Sequence, residues 1–259
     1  SLMLCDGIHP VFNVSPLAYL ADAGDMRLPN ASPLDEVRSH IERQARALMG
    51  QHHAVFLGGD HSVTLALLKA AQARFGQGEP LAVIHFDAHC DTWTDHFGEP
   101  SGHGTWTHEA IEQGIISATH TVQIGIRSSG VREAREYVQD RGGLIYTARA
   151  LRGKDGDGLA DTLRSIHERI GNRPCYLTLD IDCLDPAFAP GTGTPEPGGL
   201  TSSQVLTLLE GLAPLNFVGM DCVEVAPAYD HAELTSTAAA TAVWTYLCGR
   251  IAARSTGRN

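Results

Sequence analysis

The stretch Leu81-Ala-Val-Ile-His-Phe-Asp-Ala-His-Cys-Asp91 joins a mainly apolar run to three residues of metal-binding types. The run, Leu81 to Phe86, has the length and composition of a strand that is buried on both faces. Asp87, His89 and Asp91 follow it at every second position. Alternate side chains of an extended strand share a face, so these three can point to one side where the strand ends.

The same arrangement occurs at two other places in the chain. The run Ala54 to Leu57 ends in Gly58-Gly59-Asp60-His61-Ser62, and the run Cys175 to Leu179 ends in Asp180-Ile181-Asp182. Segments with helical spacing of apolar residues separate the runs, and Ser62 is predicted to cap the helix that follows the first block. Alternating strands and helices predict an α/β fold with a parallel sheet covered by helices on both faces. Ligands bind at the carboxyl ends of such strands, where all three blocks lie.

Composition excludes several classes of function. The 259 residues carry a formal net charge of -11, which argues against binding to nucleic acid or to anionic lipid. No secretory signal and no apolar stretch long enough to span a bilayer is visible, so a cytoplasmic location is expected. The six cysteines are not arranged as a disulfide framework and are expected to be reduced core residues.

The three blocks together predict a metal centre. A single Asp-x-Asp at a strand end is often only a helix cap, but four converging buried carboxylates would be costly without cations. Carboxylates mixed with imidazoles suit manganese, with zinc, cobalt or nickel also possible, and six ligands can hold two divalent ions if carboxylates bridge them. The candidate ligands are His61, Asp87, His89, Asp91, Asp180 and Asp182.

The blocks, in this order, resemble the ureohydrolase family of arginase, agmatinase and their relatives. The similarity extends from about Ala21 to Leu247, and the tripeptide His103-Gly104-Thr105 after the second block is typical of the agmatinase branch. The segments that carry the resemblance most specifically are 58–62, 85–92, 179–200 and 218–230.

The resemblance implies a fold and a cofactor. Family members are three-layer α/β/α sandwiches with a mainly parallel sheet, and they usually assemble into trimers or hexamers. They bind two Mn²⁺ ions per chain. By residue-to-residue match, His61 and Asp91 are expected to bind the first ion, His89 and Asp182 the second, and Asp87 and Asp180 both.

The resemblance also implies two catalytic residues. Glu224 is expected to pair with the guanidinium group of the substrate, and His103 is expected to carry a proton to the leaving amine. His85, His96 and His108 are weaker candidates for the proton carrier. Of these, His85 is predicted to lie on the opposite strand face from the ligands and to pack in the core.

The expected reaction is hydrolysis of agmatine, a small cationic guanidino compound, to putrescine and urea, a step of polyamine metabolism. The charges give a net negative site, with about -4 from aspartates, about +4 from two ions and about -1 from hydroxide. The loop from Thr92 to Gly102 contains Asp95 and Glu99 but no Lys or Arg, which favours a cationic substrate tail over an anionic one.

Three alternatives remain open at this point. One is a related hydrolase of guanidino acids, a guanidinobutyrase or guanidinopropionase. Another is a non-catalytic regulatory relative, which would be expected to have lost ligands, although all six are present. The third is a zinc deacetylase, which needs one metal and a His-His pair, and His52-His53 is such a pair in sequence.

The start of the chain departs from the family pattern. Relatives usually begin with a strand and an arginine- and glycine-rich loop, and Ser1 matches a point after that loop. Residues 1–259 are therefore expected to form a single ureohydrolase domain that lacks this strand and loop.

Overall fold

The computed structural model describes residues 7–95 and 98–255. Six strands in this part of the chain form one sheet, in which every neighbouring pair is parallel. The sheet order is β1-β6-β5-β2-β3-β4. The strands are β1 (Ala54–Leu57), β2 (Leu81–Phe86), β3 (Ile116–Ile124), β4 (Leu144–Tyr146), β5 (Cys175–Asp180) and β6 (Phe217–Val223).

Helices cover both faces of the sheet. They are α1 (Leu34–Met49), α2 (Thr64–Phe75), α3 (Trp106–Glu112), α4 (Arg132–Arg135), α5 (Tyr137–Asp140), α6 (Ala148–Leu151), α7 (Ala160–Ile170), α8 (Ser202–Leu212) and α9 (Leu234–Ser255). One apolar core lies between the sheet and α1–α3, and it includes Ile41, Leu68 and Trp106. The other lies between the sheet and α6–α9, and it includes Leu151 and Leu208. The predicted three-layer α/β/α sandwich is confirmed.

The strand order brings the three sequence blocks together. Strands β1, β6, β5 and β2 are consecutive and parallel in the sheet, so the segments at their carboxyl ends lie side by side. Gly58 allows the close approach that this requires, because a Cβ atom there would lie 2.8 Å from Cγ1 of Val223 on β6. The fold therefore places His61, Asp180 and Asp87 at neighbouring positions.

The cap of the helical segment after β1 differs from the prediction. The Asp60 side chain, not that of Ser62, accepts the first bond, from the Ser62 backbone N–H at 2.8 Å. A short 3-10 turn, His61–Val63, then runs into α2. An aspartate is as good a cap as a serine, and Asp60 stands one residue before the turn.

A row of buried polar residues crosses the otherwise apolar sheet. Asp221 of β6, Thr178 of β5, His85 of β2 and Gln123 of β3 are register partners in turn, and all four are 0% exposed. Thr64 of α2 donates to Asp221, which places the row on the face covered by α1–α3. We call these four residues the polar row.

None of the helices in the described residues is long and apolar enough to cross a bilayer.

Candidate metal centre

The first group of candidate ligands surrounds the imidazole of His61. Its Nδ1 lies 3.0 Å from Oδ2 of Asp87 and 3.2 Å from Oδ2 of both Asp91 and Asp180. His61, Asp87, Asp91 and also His85 place ligand atoms within 4.8 Å of one another, and all four residues are buried. The blocks after β1, β2 and β5 therefore converge on one point.

A second group lies beside the first. Nδ1 of His89 is 3.0 Å from Oδ2 of Asp182 and 3.4 Å from Oδ1 of Asp87, and these three residues could also hold an ion. Asp87 belongs to both groups. Asp180 belongs to neither, but its carboxylate reaches His61 in the first group. All six candidate ligands predicted from the sequence thus meet at the carboxyl ends of the strands. Their roles as ligands stay predictions.

The donor set fits a bound cation. Nδ1 of His61 is fully buried and makes no hydrogen bond, although three carboxylate oxygens surround it. Burial, with the neighbouring carboxylates of Asp182 and Asp87, raises the pKa of Asp180 well above its usual value. A divalent ion among these atoms would offset that charge repulsion and accept the imidazole lone pair.

Two members of the polar row orient His61. Its Nε2 lies 2.8 Å from Oγ1 of Thr178, and that hydroxyl donates to Oδ1 of Asp221 at 2.5 Å. Because the Thr178 proton is used on Asp221, the threonine oxygen accepts the Nε2 proton of His61. The Nδ1 lone pair then faces the carboxylates, as a metal ligand requires.

His85 also belongs to this centre, and the prediction that it lies on the opposite face is wrong. His85 and Asp87 are two positions apart, so they share a face. Nε2 of His85 lies 2.7 Å from Oδ2 of Asp87, and Nδ1 of His85 lies 3.1 Å from the amide nitrogen of Gln123. The amide nitrogen can only donate, so Nδ1 of His85 accepts and Nε2 of His85 carries the proton that Asp87 accepts. The histidine is buried as expected, but in the polar row.

Glu224, one of the two predicted catalytic residues, stands beside the first group. Oε1 of Glu224 accepts the backbone N–H of His61 at 2.7 Å, which holds the half-buried carboxylate beside the first group. Burial raises the pKa of Glu224, and the hydrogen bond from the His61 backbone N–H opposes that shift. The exposed His103 lies within electrostatic range of Glu224.

The sequence and the fold have known relatives. The sequence profile of the arginase family matches residues 9–249. The chain belongs to the arginase family. An agmatinase of Serratia proteamaculans is 45% identical over 233 residues, which make up 89% of this chain and 70% of the relative.

Solved structures of arginase-family relatives share the fold. A hypothetical agmatinase from Burkholderia thailandensis matches with a TM-score of 0.84 and 40% identity, over 96% of this chain and 76% of that one. The proclavaminate amidino hydrolase of Streptomyces clavuligerus matches with a TM-score of 0.81 and 39% identity, over 90% and 75% of the two chains. Family and relatives together indicate an enzyme of the amidinohydrolase type.

Four other histidines were considered as proton carriers or as a deacetylase pair, and the side chains of those that the structure describes make other contacts. The ring of His108 is 5.0 Å from that of Tyr137, and His96 lies outside the described residues of this arginase-family chain. His52 and His53 precede β1 and therefore lie at the amino ends of the strands, whereas the centre lies at the carboxyl ends. Nε2 of His53 is hydrogen-bonded to the hydroxyl of Tyr246. The deacetylase alternative therefore loses its catalytic pair.

Arg127 was missed by the sequence analysis. Its guanidinium donates to the carbonyls of Asp182 and Leu184 at 2.8 and 3.1 Å and to that of Glu196 at 2.5 Å. It thereby fixes the Gly/Pro-rich loop after β5 against the candidate ligand Asp182. An arginine three residues beyond β3 carries no local signal of these three contacts, because the three carbonyls lie more than 50 residues away in sequence.

Thr178→Val is expected to weaken metal binding at the first group of this arginase-family site by about 10–100-fold. Valine keeps the shape but no longer accepts the His61 proton, so the lone pair at Nδ1 is no longer fixed toward the carboxylates. Equilibrium dialysis with Mn²⁺ measures the change, with Thr162→Val as the control because Thr162 is a buried threonine of α7 on the other face. Equal Mn²⁺ affinities for the two variants would contradict the role given to Thr178.

Proposed function

We propose that this chain is a binuclear manganese hydrolase that cleaves the guanidinium group of agmatine to give putrescine and urea. The observation that carries the proposal is the pair of His/Asp groups that share Asp87, with the Glu224 carboxylate hydrogen-bonded to the His61 backbone beside them. Similarity to curated agmatinases supports the choice of substrate.

The proposed ions would be held by residues of the two groups already described, together with Asp180. His61 and Asp91 would hold the first, His89 and Asp182 the second, and Asp87 with Asp180 would contact both. When bound, a pair of divalent ions supplies Lewis acidity and lowers the pKa of water, so that a strong nucleophile is available at neutral pH. Such a nucleophile is needed because resonance and positive charge make the guanidinium carbon a weak electrophile.

The protein's own residues would bind the substrate and move its protons. Glu224, fixed by the His61 N–H, would pair with the guanidinium and hold its carbon over the centre. His103, exposed and within electrostatic range of Glu224, would give a proton to the amine as the C–N bond breaks. The net negative tally of the site would favour a cationic substrate and disfavour anions.

The charge of the substrate tail distinguishes agmatine from its rivals, and one rival has a specific observation in its favour. The loop before His103 carries Asp95 and Glu99, both exposed, and no Lys or Arg, which suits the ammonium tail of agmatine. A guanidino acid, with an anionic tail, is the second candidate, because one structural relative is named as a proclavaminate amidino hydrolase.

The test is urea release by Mn²⁺-loaded protein from agmatine, 4-guanidinobutyrate and arginine. We expect kcat/KM for agmatine to exceed that for either other compound by at least about tenfold, because a misplaced or unpaired charge costs more than about 1.4 kcal/mol. Chelated protein serves as the control and should release no urea. A preference for 4-guanidinobutyrate would favour the guanidino acid, and no release from any compound with two ions bound would favour a non-catalytic relative.

We also propose that the protein works as a homo-oligomer, a trimer or hexamer, in the cytoplasm, without nucleic acid or membrane partners. The acidic net charge supports the proposal that neither nucleic acid nor membrane is a partner. Light scattering of the purified protein would measure the assembly, and a monomer at all concentrations would contradict it.

A further inference from the structure

Trp106, the first residue of α3, makes a polar contact inside the candidate centre. Its indole is 0% exposed, and Nε1 donates to Oδ2 of Asp91 at 2.7 Å. The same carboxylate oxygen lies 3.2 Å from Nδ1 of His61. The indole ring also packs on two imidazoles, with its centroid 4.9 Å from those of both His61 and His85. Packing alone would not need an N–H donor aimed at a carboxylate.

The backbone of Asp91 is tied to the same helix. Asp91 adopts a left-handed conformation with φ of 52°, which is uncommon for a residue with a side chain. Its carbonyl accepts the N–H groups of Thr107 and His108 at 3.0 and 3.3 Å. Thr105, at the cap position, makes no side-chain hydrogen bond to the backbone of the helix, because its hydroxyl donates to Oε1 of Glu109 at 2.8 Å. Asp91 therefore takes the place of the cap, and it contacts the start of α3 through both its carbonyl and its carboxylate.

The segment that carries His103 is attached to the same helix start. His103 stands three residues before Trp106. The carbonyl of Gly104, between them, accepts the backbone N–H of Trp93 at 3.2 Å. Any shift of Asp91 would therefore be transmitted to the first turn of α3 and to the residues just before it.

We propose that Trp106 is a positioning residue that couples a divalent cation held by His61 and Asp91 to the placement of the His103 segment. This inference rests on the proposed function, since it assumes that the first group binds an ion. The indole N–H fixes the orientation of the Asp91 carboxylate, and hydrogen bonds of this kind to metal ligands typically change metal affinity by about 10–100-fold.

The variant Trp106→Phe removes the donor and keeps an aromatic ring. We expect one of the two Mn²⁺ ions to bind about 10–100-fold more weakly in equilibrium dialysis, with the other unchanged. At saturating Mn²⁺ we expect a lower kcat for agmatine with KM within about twofold, because Glu224 is untouched. The matched control is Trp244→Phe, since Trp244 packs on His9 and lies outside the centre.

A second measurement does not depend on the fold of the Trp106 variant. The double variant Trp93→Phe/Trp244→Phe leaves Trp106 as the single tryptophan. Titration with Co²⁺, which quenches indole emission at short range, is expected to quench this protein strongly, with the change complete when the first group is filled.

The outcomes separate the inference from the proposed function. If the wild-type protein binds two Mn²⁺ ions and cleaves agmatine, but Trp106→Phe keeps both affinities and kcat, the positioning role is overturned and the function stands. Absence of Co²⁺ quenching in the single-tryptophan protein would likewise overturn the role. If the wild-type protein binds no Mn²⁺, both proposals fail.

Discussion

Asp87→Asn is expected to lose tight Mn²⁺ binding at both groups and to lower kcat/KM for agmatine by about 1000-fold or more, which corresponds to about 4 kcal/mol of activation free energy. Asp87 is the residue that the two His/Asp groups share, and it is 0% exposed. The amide is nearly isosteric but lacks the negative charge, so it cannot bridge two cations. Metal content after dialysis and urea release together measure the effect.

The matched control for that variant is Asp161→Asn, because the side chain of Asp161 is 91% exposed on α7. Thermal unfolding adds an independent test, since an ion that binds only the folded state raises Tm. A chelator should lower the Tm of the wild-type protein and leave that of Asp87→Asn almost unchanged. An Asp87→Asn protein with two bound ions would refute a shared ligand.

Glu224→Gln is expected to keep both ions and to lower kcat/KM for agmatine by about 100- to 1000-fold. Glutamine can still accept the His61 N–H through its amide oxygen, so the local structure is retained. What is lost is the charge that pairs with the guanidinium. Urea release and Mn²⁺ dialysis measure the two halves of this expectation, with Glu168→Gln, an exposed glutamate of α7, as the control.

Lowering the pH should reduce kcat/KM of the wild-type protein for agmatine, as Glu224→Gln does. Burial raises the pKa of Glu224 above its ordinary value. The carboxylate is therefore present above that raised pKa and is lost as the pH falls through it, so kcat/KM for agmatine should decline there. A Glu224→Gln protein that retains wild-type kcat/KM would remove Glu224 from the mechanism.

The fold was predictable because its signals are local. Apolar runs such as Ala54 to Leu57 and Leu81 to Phe86 each lead into polar residues. These runs alternate with segments whose apolar residues have helical spacing. Parallel strands then place their carboxyl ends together by geometry alone. The six candidate ligands could be located for the same reason, without knowledge of the strand order.

The surroundings of the candidate ligands could not be found in this way. Thr178 and Asp221 lie inside apolar strands, and only the pairing of β5 with β6 places them beside His61. The bond from Trp106 to Asp91 depends on how α3 docks, which no local pattern encodes. His85 is a different case, since its spacing of two from Asp87 was already a signal for a shared face.

The polar row has a consequence for how the sheet assembles. Strands buried on both faces carry few alternating side chains, so their pairing is weakly specified by the hydrophobic pattern. A slip of one residue in β5 would turn Thr178 away from Asp221 and His85 and bury its hydroxyl among apolar groups on the other face. The polar row therefore helps to specify the register of four neighbouring strands. Mispaired sheets are disfavoured during folding before any ion is bound.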